Sequence, residues 1–460
     1  MTKRLSLPRR QFVKAAAGFT GASLFGGLSF KAFAQAATLA PADRCFVFVY
    51  FQGGWDTLLS LDPRDPAVFT PERVSETKIL PGYSLLSGDA SYPTTVVTPA
   101  TRPGSAPSNI AFGPAIGNMA NHYDLMTVVR GINMATVAHE VGYRYFLTGK
   151  EPIGSAARGS STATEIVGQM KPTVPVPSIA YGIESYNDRY PGAASALRVN
   201  QSSDLLLTLA PSPTALDSEV EKSLINMRGQ KVACEADMYN SRGLLSQYGD
   251  SRSQMSAVIS AKLDNAFRFD RAENAAVRAH YGLPNSGPYD SPAGRAALVA
   301  TALKNGISQC ATINLTGGLD THFGTQLTHA GNQRTAWNAL AALVEDLRKT
   351  SHPGGGNFMD HTTMMVFSEF SRTPLINAAG GRDHHITNAA MMLGAGIRHN
   401  HVFGKSGDIA LSAGRVDFKT GLPSEGGQTI LPEHLIATVL ASAKLDYAIT
   451  RVEPLTALLT

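Results

Sequence analysis

Cys45-Phe46-Val47-Phe48-Val49-Tyr50-Phe51 runs straight into Gln52-Gly53-Gly54-Trp55-Asp56. Seven consecutive apolar residues with no polar face read as a strand buried on both sides, as strands of parallel sheets are. The paired glycines end it in a loop. Three later runs repeat the pattern: Leu125–Val129, Ala311–Leu315 ahead of Gly317-Gly318, and Thr363–Phe367 ahead of Ser368-Glu369. Helical patterns lie between or after them. In 326–349, Trp337, Leu340, Leu343, Val344 and Leu347 recur at the 3–4 spacing of one buried helix face. Strands alternating with helices predict an α/β fold, with a mostly parallel central sheet flanked by helices. One such domain is expected over 35–460, interrupted by a helical insertion at about 216–282, where turn residues are few. The stretches 81–115 and 406–430, rich in Gly, Pro, Ser and Thr, read as long loops, and 432–445 as a helix.

With 460 residues, 43% hydrophobic and 17% charged, the chain can bury a large core, which excludes a disordered tail, a collagen or a coiled coil. The formal charge of +4 is unevenly placed. Residues 1–34 hold Lys3, Arg4, Arg9, Arg10, Lys14 and Lys31 and no acid; without those six, 34 basic residues face 36 acidic ones. That balance argues against nucleic acid as a partner. Pro8-Arg9-Arg10-Gln11-Phe12-Val13-Lys14, a glycine-interrupted apolar run and Ala32-Phe33-Ala34 resemble a cleaved twin-arginine export signal spanning 1–34. The expectations are passage through the twin-arginine translocase, a periplasmic or secreted location and no stable membrane span after cleavage. Cys45, Cys234 and Cys310 lack any C-x-x-C spacing; Cys45 and Cys310, in strand-like runs, read as small buried hydrophobes.

Polar residues able to bind metal collect just past the strand ends, where open α/β sheets place their sites. Asp56 follows the first run and His139-Glu140 the second. Asp320-Thr321-His322 follows the third, and Glu369 and then Asp383-His384 follow the fourth. This recurrence of Asp56, His139, Asp320, His322, Glu369 and the Asp383-His384 pair supplies carboxylate and imidazole donors for one or two divalent ions, with Glu140 and Asp383 as candidate hydrogen-bond acceptors behind the histidines. Zinc or manganese suits the mixed donors; calcium or magnesium suits a carboxylate-heavy set. Familiar alternatives fail. Tyr143 replaces the second histidine of H-E-x-x-H, His399 replaces a glycine that the phosphate-binding loop and the dinucleotide fingerprint both need, and no G-x-S-x-G occurs.

Phe51-Gln52-Gly53-Gly54-Trp55-Asp56 with Asp62-Pro63-Arg64, Gly317-Gly318-Leu319-Asp320-Thr321-His322, Ser368-Glu369-Phe370-Ser371-Arg372-Thr373-Pro374 and Gly381-Arg382-Asp383-His384 together resemble the twin-arginine-exported family called domain of unknown function 1501. That family is itself similar to the alkaline phosphatase and sulfatase superfamily. The resemblance implies that Asp56, Asp320, His322, Glu369 and His384 hold metal. It also implies that the position of the superfamily's nucleophile is occupied by His139, and that a ligand histidine is replaced by Phe370. His139 is then a nucleophile, a substrate clamp or a ligand filling that vacancy, with Arg372 neutralising charge that develops on the substrate. The implied function is a metal-dependent hydrolase of phosphate or sulfate esters, acting on a small molecule or a polymer. The alternative is a non-catalytic binding or assembly protein of the cell envelope that keeps the fold.

Overall fold

A computed structural model of the chain describes residues 42–210 and 262–460, with a few positions between 219 and 230. The chain divides into two compact units, residues 38–209 with 263–460 and residues 1–37 with 210–262. The second unit lies almost wholly outside the described residues, as do the expected export leader over 1–34, Cys234 and most of the expected 216–282 insertion. The described end of that insertion carries a short helix, Ala275–Tyr281.

In the larger unit the strands are β1 (Cys45–Phe51), β2 (Met126–Asn133), β3 (Ser178–Tyr181), β4 (Leu197–Val199), β5 (Cys310–Thr316), β6 (Thr362–Phe367), β7 (Ser371–Arg372), β8 (His384–His385), β9 (Thr387–Gly394) and β10 (His401–Phe403), with a separate short pair at Arg415–Val416 and Gln428–Thr429. Eight of them form one sheet in the order β10-β2-β9-β6-β1-β5-β3-β4, while β7 and β8 pair separately. β1 lies between β5 and β6 and is parallel to both. Only β9 runs against the rest, between β6 and β2. All four runs singled out in the sequence are strands, and β1, β5 and β6 are buried along their whole length.

β9 is the strand that composition hides. Thr-Asn-Ala-Ala-Met-Met-Leu-Gly has little β propensity, and pairing on both sides rather than local preference makes it a strand. Its direction matters for function. An antiparallel strand begins where its parallel neighbours end, so the chain entering β9 brings His384 to the edge at which β1, β5 and β6 deliver their loops.

Helices cover both faces: α1 (His139–Thr148), α2 (Thr162–Met170), α3 (Ser202–Leu209), α4 (Ala275–Tyr281), α5 (Pro292–Lys304), α6 (Gln326–Lys349) and α7 (Pro432–Ser442). Strand alternation divides β1 between them. Phe46, Phe48 and Tyr50 pack with Phe146 of α1, Ile166 of α2 and Leu435 and Leu440 of α7. Phe51 points the other way, its ring 4.5 Å from that of Trp337 on α6. The five apolar positions expected to form one face of α6 are all buried. Cys45 and Cys310 are buried, unpaired thiols, and burial pushes the Cys45 thiol up to about 12.

The start of α7 makes the fold acid-sensitive. The His434 Nδ1 atom accepts a hydrogen bond of 3.0 Å from the Leu431 backbone N–H, and its ring packs edge-on against Phe418. Burial lowers its pKa to about 4. Unfolded, the ring titrates near 6.5, so its contribution is complete above that pH and is lost as pH falls from 6.5 through 4; the loss is on the order of 2–3 kcal/mol. Urea unfolding at pH 7.5 and pH 4.5 should show His434→Gln losing less stability than the parent by about that amount. An equal loss in both would remove His434 from the account.

Candidate metal centre

Four loops meet at the carboxyl edge of β1, β5 and β6. The Gly53 N–H, past β1, donates to Glu369 Oε1, past β6, at 2.8 Å. Gly53 has a φ of +113°, and a Cβ there would stand 2.5 Å from Asp320 N, so only glycine lets the loop after β1 touch the loop after β5. α1 approaches as closely. A Cβ on Gly142 would land on the Glu369 carbonyl oxygen, so glycine in this helix interior lets His139, one turn earlier, reach Glu369.

Three histidines converge there, each anchored through Nδ1. His139 Nδ1 lies 2.7 Å from Glu369 Oε1, His322 Nδ1 lies 2.7 Å from Asp383 Oδ1, and His384 Nδ1 lies 2.8 Å from the carbonyl oxygen of Val137. Carboxylates and carbonyls only accept, so each Nδ1 carries a proton and each ring turns its Nε2 inward. His322 Nε2 and His384 Nε2 are 2.9 Å apart, and Asp320 Oδ1 lies 3.2 and 3.4 Å from them. His139 Nε2 stands 3.6 Å from Asp320 Oδ2. His139, Asp320 and His384 hold ligand atoms within 4.8 Å of one another, with His322 against two of them. Facing lone pairs and a carboxylate at these separations need a shared cation, a proton or a metal ion. Imidazole rings tied back through their second nitrogen are the arrangement metal-binding histidines adopt, so the donors fit a divalent ion of the zinc or manganese type.

The electrostatics agree. The hydrogen bond to Glu369 raises the His139 pKa, which marks its ring as a strong base. Burial lowers that of His384. Partial burial alone would raise the Asp320 carboxyl, but Arg372, with His384 and His139, outweighs it and holds the carboxyl below its ordinary range. The hydrogen bond from His322 does the same for Asp383.

Asp320, His322 and His384 therefore meet as the strand-end pattern expects, and Asp383 stands behind His322. Four expected roles change. Glu369 is fully buried and spends one oxygen on Gly53 N and His139 Nδ1 and the other on Ser368 Oγ; it is the anchor of His139, and His139 takes a place in the cluster. Asp56 is buried elsewhere, its Oδ2 2.9 Å from Arg382 Nε and its Oδ1 accepting from Leu58 N; burial raises its pKa, and the Arg382 guanidinium works against that rise. Arg372 is buried, so it acts on Asp320, at 2.7 Å, and on the carbonyls of Gly53, Gly54 and Arg382; no surface remains with which to touch a substrate. Glu140 is exposed on the first turn of α1 and takes no part in these contacts.

Sequence reading gave no role to Arg382, to the Val137 carbonyl or to Phe370. The ring of Phe370 is fully buried beneath the cluster, 4.2 Å from the His384 ring and 4.7 Å from that of His139. It holds the imidazoles apart from the core and walls water out below them. Only the Gly381-Arg382-Asp383-His384 motif signalled Arg382; nothing local marks a carbonyl as a histidine anchor.

Solved structures similar to the chain include Ps i-CgsB, at 10% identity over 90% of this chain and 75% of that one, with a TM-score of 0.37. Ps i-CgsB in complex with k-i-k-neocarrahexaose matches over the same shares at 8% identity and 0.34. A protein in the alkaline phosphatase superfamily from Vibrio parahaemolyticus matches at 10% identity over 98% of this chain and 79% of that one, at 0.35. No curated protein matches the chain. Among the described residues no helix is long and apolar enough to cross a membrane. The motifs around the cluster lie within a match over residues 43–420, and by it the chain belongs to the family described as Protein of unknown function (DUF1501).

Proposed function

We propose that the protein is an exported, metal-dependent hydrolase of phosphate or sulfate esters. The observation that carries this reading is the convergence of three Nδ1-anchored histidines on the Asp320 carboxylate. His139, Asp320 and His384 would hold the ion, with His322 beside them. Such an ion supplies a Lewis acid that polarises a phosphoryl or sulfuryl oxygen.

The chain does the rest by positioning. Glu369 keeps the proton on His139 Nδ1 and so keeps Nε2 a donor; Asp383 and the Val137 carbonyl do the same for His322 and His384. Arg372 fixes one Asp320 oxygen and leaves the other to face His139. Phe370 closes the floor. The twin-arginine-type leader supports export through that translocase to the periplasm or beyond, and the acidic balance of the rest of the chain disfavours nucleic acid as the substrate.

Aryl phosphate, phosphodiester and aryl sulfate substrates, offered to the zinc- or manganese-loaded protein, test the reading. Activity lost in Asp320→Ala supports it. A loaded protein inert to all three supports the second reading, a binding or assembly protein of the cell envelope. That reading is favoured by the first turn of α1, His139-Glu140-Val141-Gly142, which offers no hydroxyl or thiol nucleophile. His139→Ala separates the roles of the ring. As a ligand, its removal should weaken metal binding by about a hundredfold or more, at least the loss seen on removing an outer hydrogen-bond partner; full occupancy in His139→Ala would return the ring to nucleophile or substrate clamp.

A further inference from the structure

We propose that the site takes one divalent ion and no second, because Arg382 is a built-in cation that already serves Asp56. The inference rests on the metal reading above and concerns how many ions the strand-end donors hold. Five of them, Asp56, Asp320, His322, Glu369 and His384, are enough in number for two ions. Their partners say otherwise.

The Asp56 carboxylate and the Arg382 guanidinium are each 1% exposed and 2.9 Å apart. The contact is an ion pair rather than a well-aimed hydrogen bond, and Asp56 Oδ2 has no other partner. An orphaned carboxylate oxygen is what a metal ligand looks like, so the question is whether the guanidinium can leave. Its other nitrogens are committed to the carbonyls of Thr373 at 2.9 Å, Leu80 at 2.7 Å and Pro81 at 3.0 Å, which tie three segments together. A divalent ion at Asp56 would have to expel a fully buried cation and strand those carbonyls. The Asp56 backbone is held as firmly, its N–H donating to His329 Nε2 at 2.9 Å and its carbonyl accepting from Gln333 Nε2 at 3.0 Å. Arg372, likewise buried, sits between this pair and the histidines: it donates to the Arg382 carbonyl and to Asp320. The Asp56 charge is thus already balanced, and a second buried guanidinium fills the ground between it and the histidines. Glu369 gives no substitute, since both its oxygens already accept from the protein. A two-ion clamp on the attacking and leaving oxygens is then not available to this chain.

The experiment is elemental analysis of the mature protein after dialysis against excess zinc and then against buffer, together with an anomalous difference map from zinc-soaked crystals. One equivalent is expected, with a single anomalous peak within about 2.0–2.2 Å of ligand atoms from His139, Asp320 and His384 and none touching Asp56. Asp56→Asn should keep one equivalent, and Asp320→Asn should lose it; if Asp56→Asn does not fold, the map of the parent decides alone. Two equivalents, or a peak bonded to Asp56, would overturn the one-ion count and leave the metal reading standing. No zinc at all would overturn both.

Discussion

Gly53→Ala should dismantle the site while most of the sheet survives. The residue sits at φ +113°, where a side chain is strained, and its Cβ would stand 2.5 Å from Asp320 N and 2.8 Å from the Leu319 carbonyl carbon. These are backbone atoms, so no rotamer change relieves the overlap, and one of the two loops must move. Backbone strain and forced overpacking each cost about 1–3 kcal/mol, which places the loss near 3–5 kcal/mol. A large α/β domain can tolerate that and stay folded, but the moved loop takes with it the Gly53 N–H that holds Glu369 and the carbonyls that hold Arg372. Chemical denaturation should show the stability loss, and zinc titration should show binding weakened by more than tenfold. A variant as stable as the parent and equally able to bind zinc would mean that the two loops are not in contact.

Glu369→Gln should weaken metal binding by about 10–100-fold with little change in fold, the effect expected when an outer carboxylate behind a histidine is neutralised. The side chain is fully buried but isosteric with glutamine. The amide oxygen can still accept from Gly53 N and His139 Nδ1, and the amide nitrogen can face Ser368 Oγ once that hydroxyl turns. What disappears is the charge that makes His139 a strong base. The His139 pKa should therefore fall in the apo protein, an NMR titration should record the fall, and metal affinity should fall with it. A direct ligand behaves differently: replacing Asp320 by Asn removes an oxygen that nothing else can supply. Equal losses in Glu369→Gln and Asp320→Asn would make Glu369 a ligand after all.

Much of this site is legible in the sequence, for a local reason. A buried parallel strand announces itself by a short unbroken apolar run, and the loop after it is where polar residues with chemistry to do must stand. Asp320, His322, Glu369, Asp383 and His384 are all placed by that rule, as is His139 after the second run. Position along the chain says which residues arrive at the edge. It does not say which way they face.

What each residue does on arrival was decided by partners from distant segments. Glu369 became an anchor because His139, 230 positions away, presents Nδ1 to it across the Gly142 gap. Asp56 was withdrawn from the cluster by Arg382, and Arg372 was buried under Asp320 instead of facing a substrate. β9, whose composition is poor in strand formers, was ordered by pairing on both sides, and its reversed direction carried His384 to the edge. By itself the sequence determined the strands of the sheet's center, the loops that carry the site and the donor types within them, because burial and turn chemistry are written in consecutive residues. Only the tertiary structure decided which carboxylates enter the cluster, which anchor its histidines and which are already paired with an arginine, because charge pairing inside a protein depends on distances that no run of neighbours encodes.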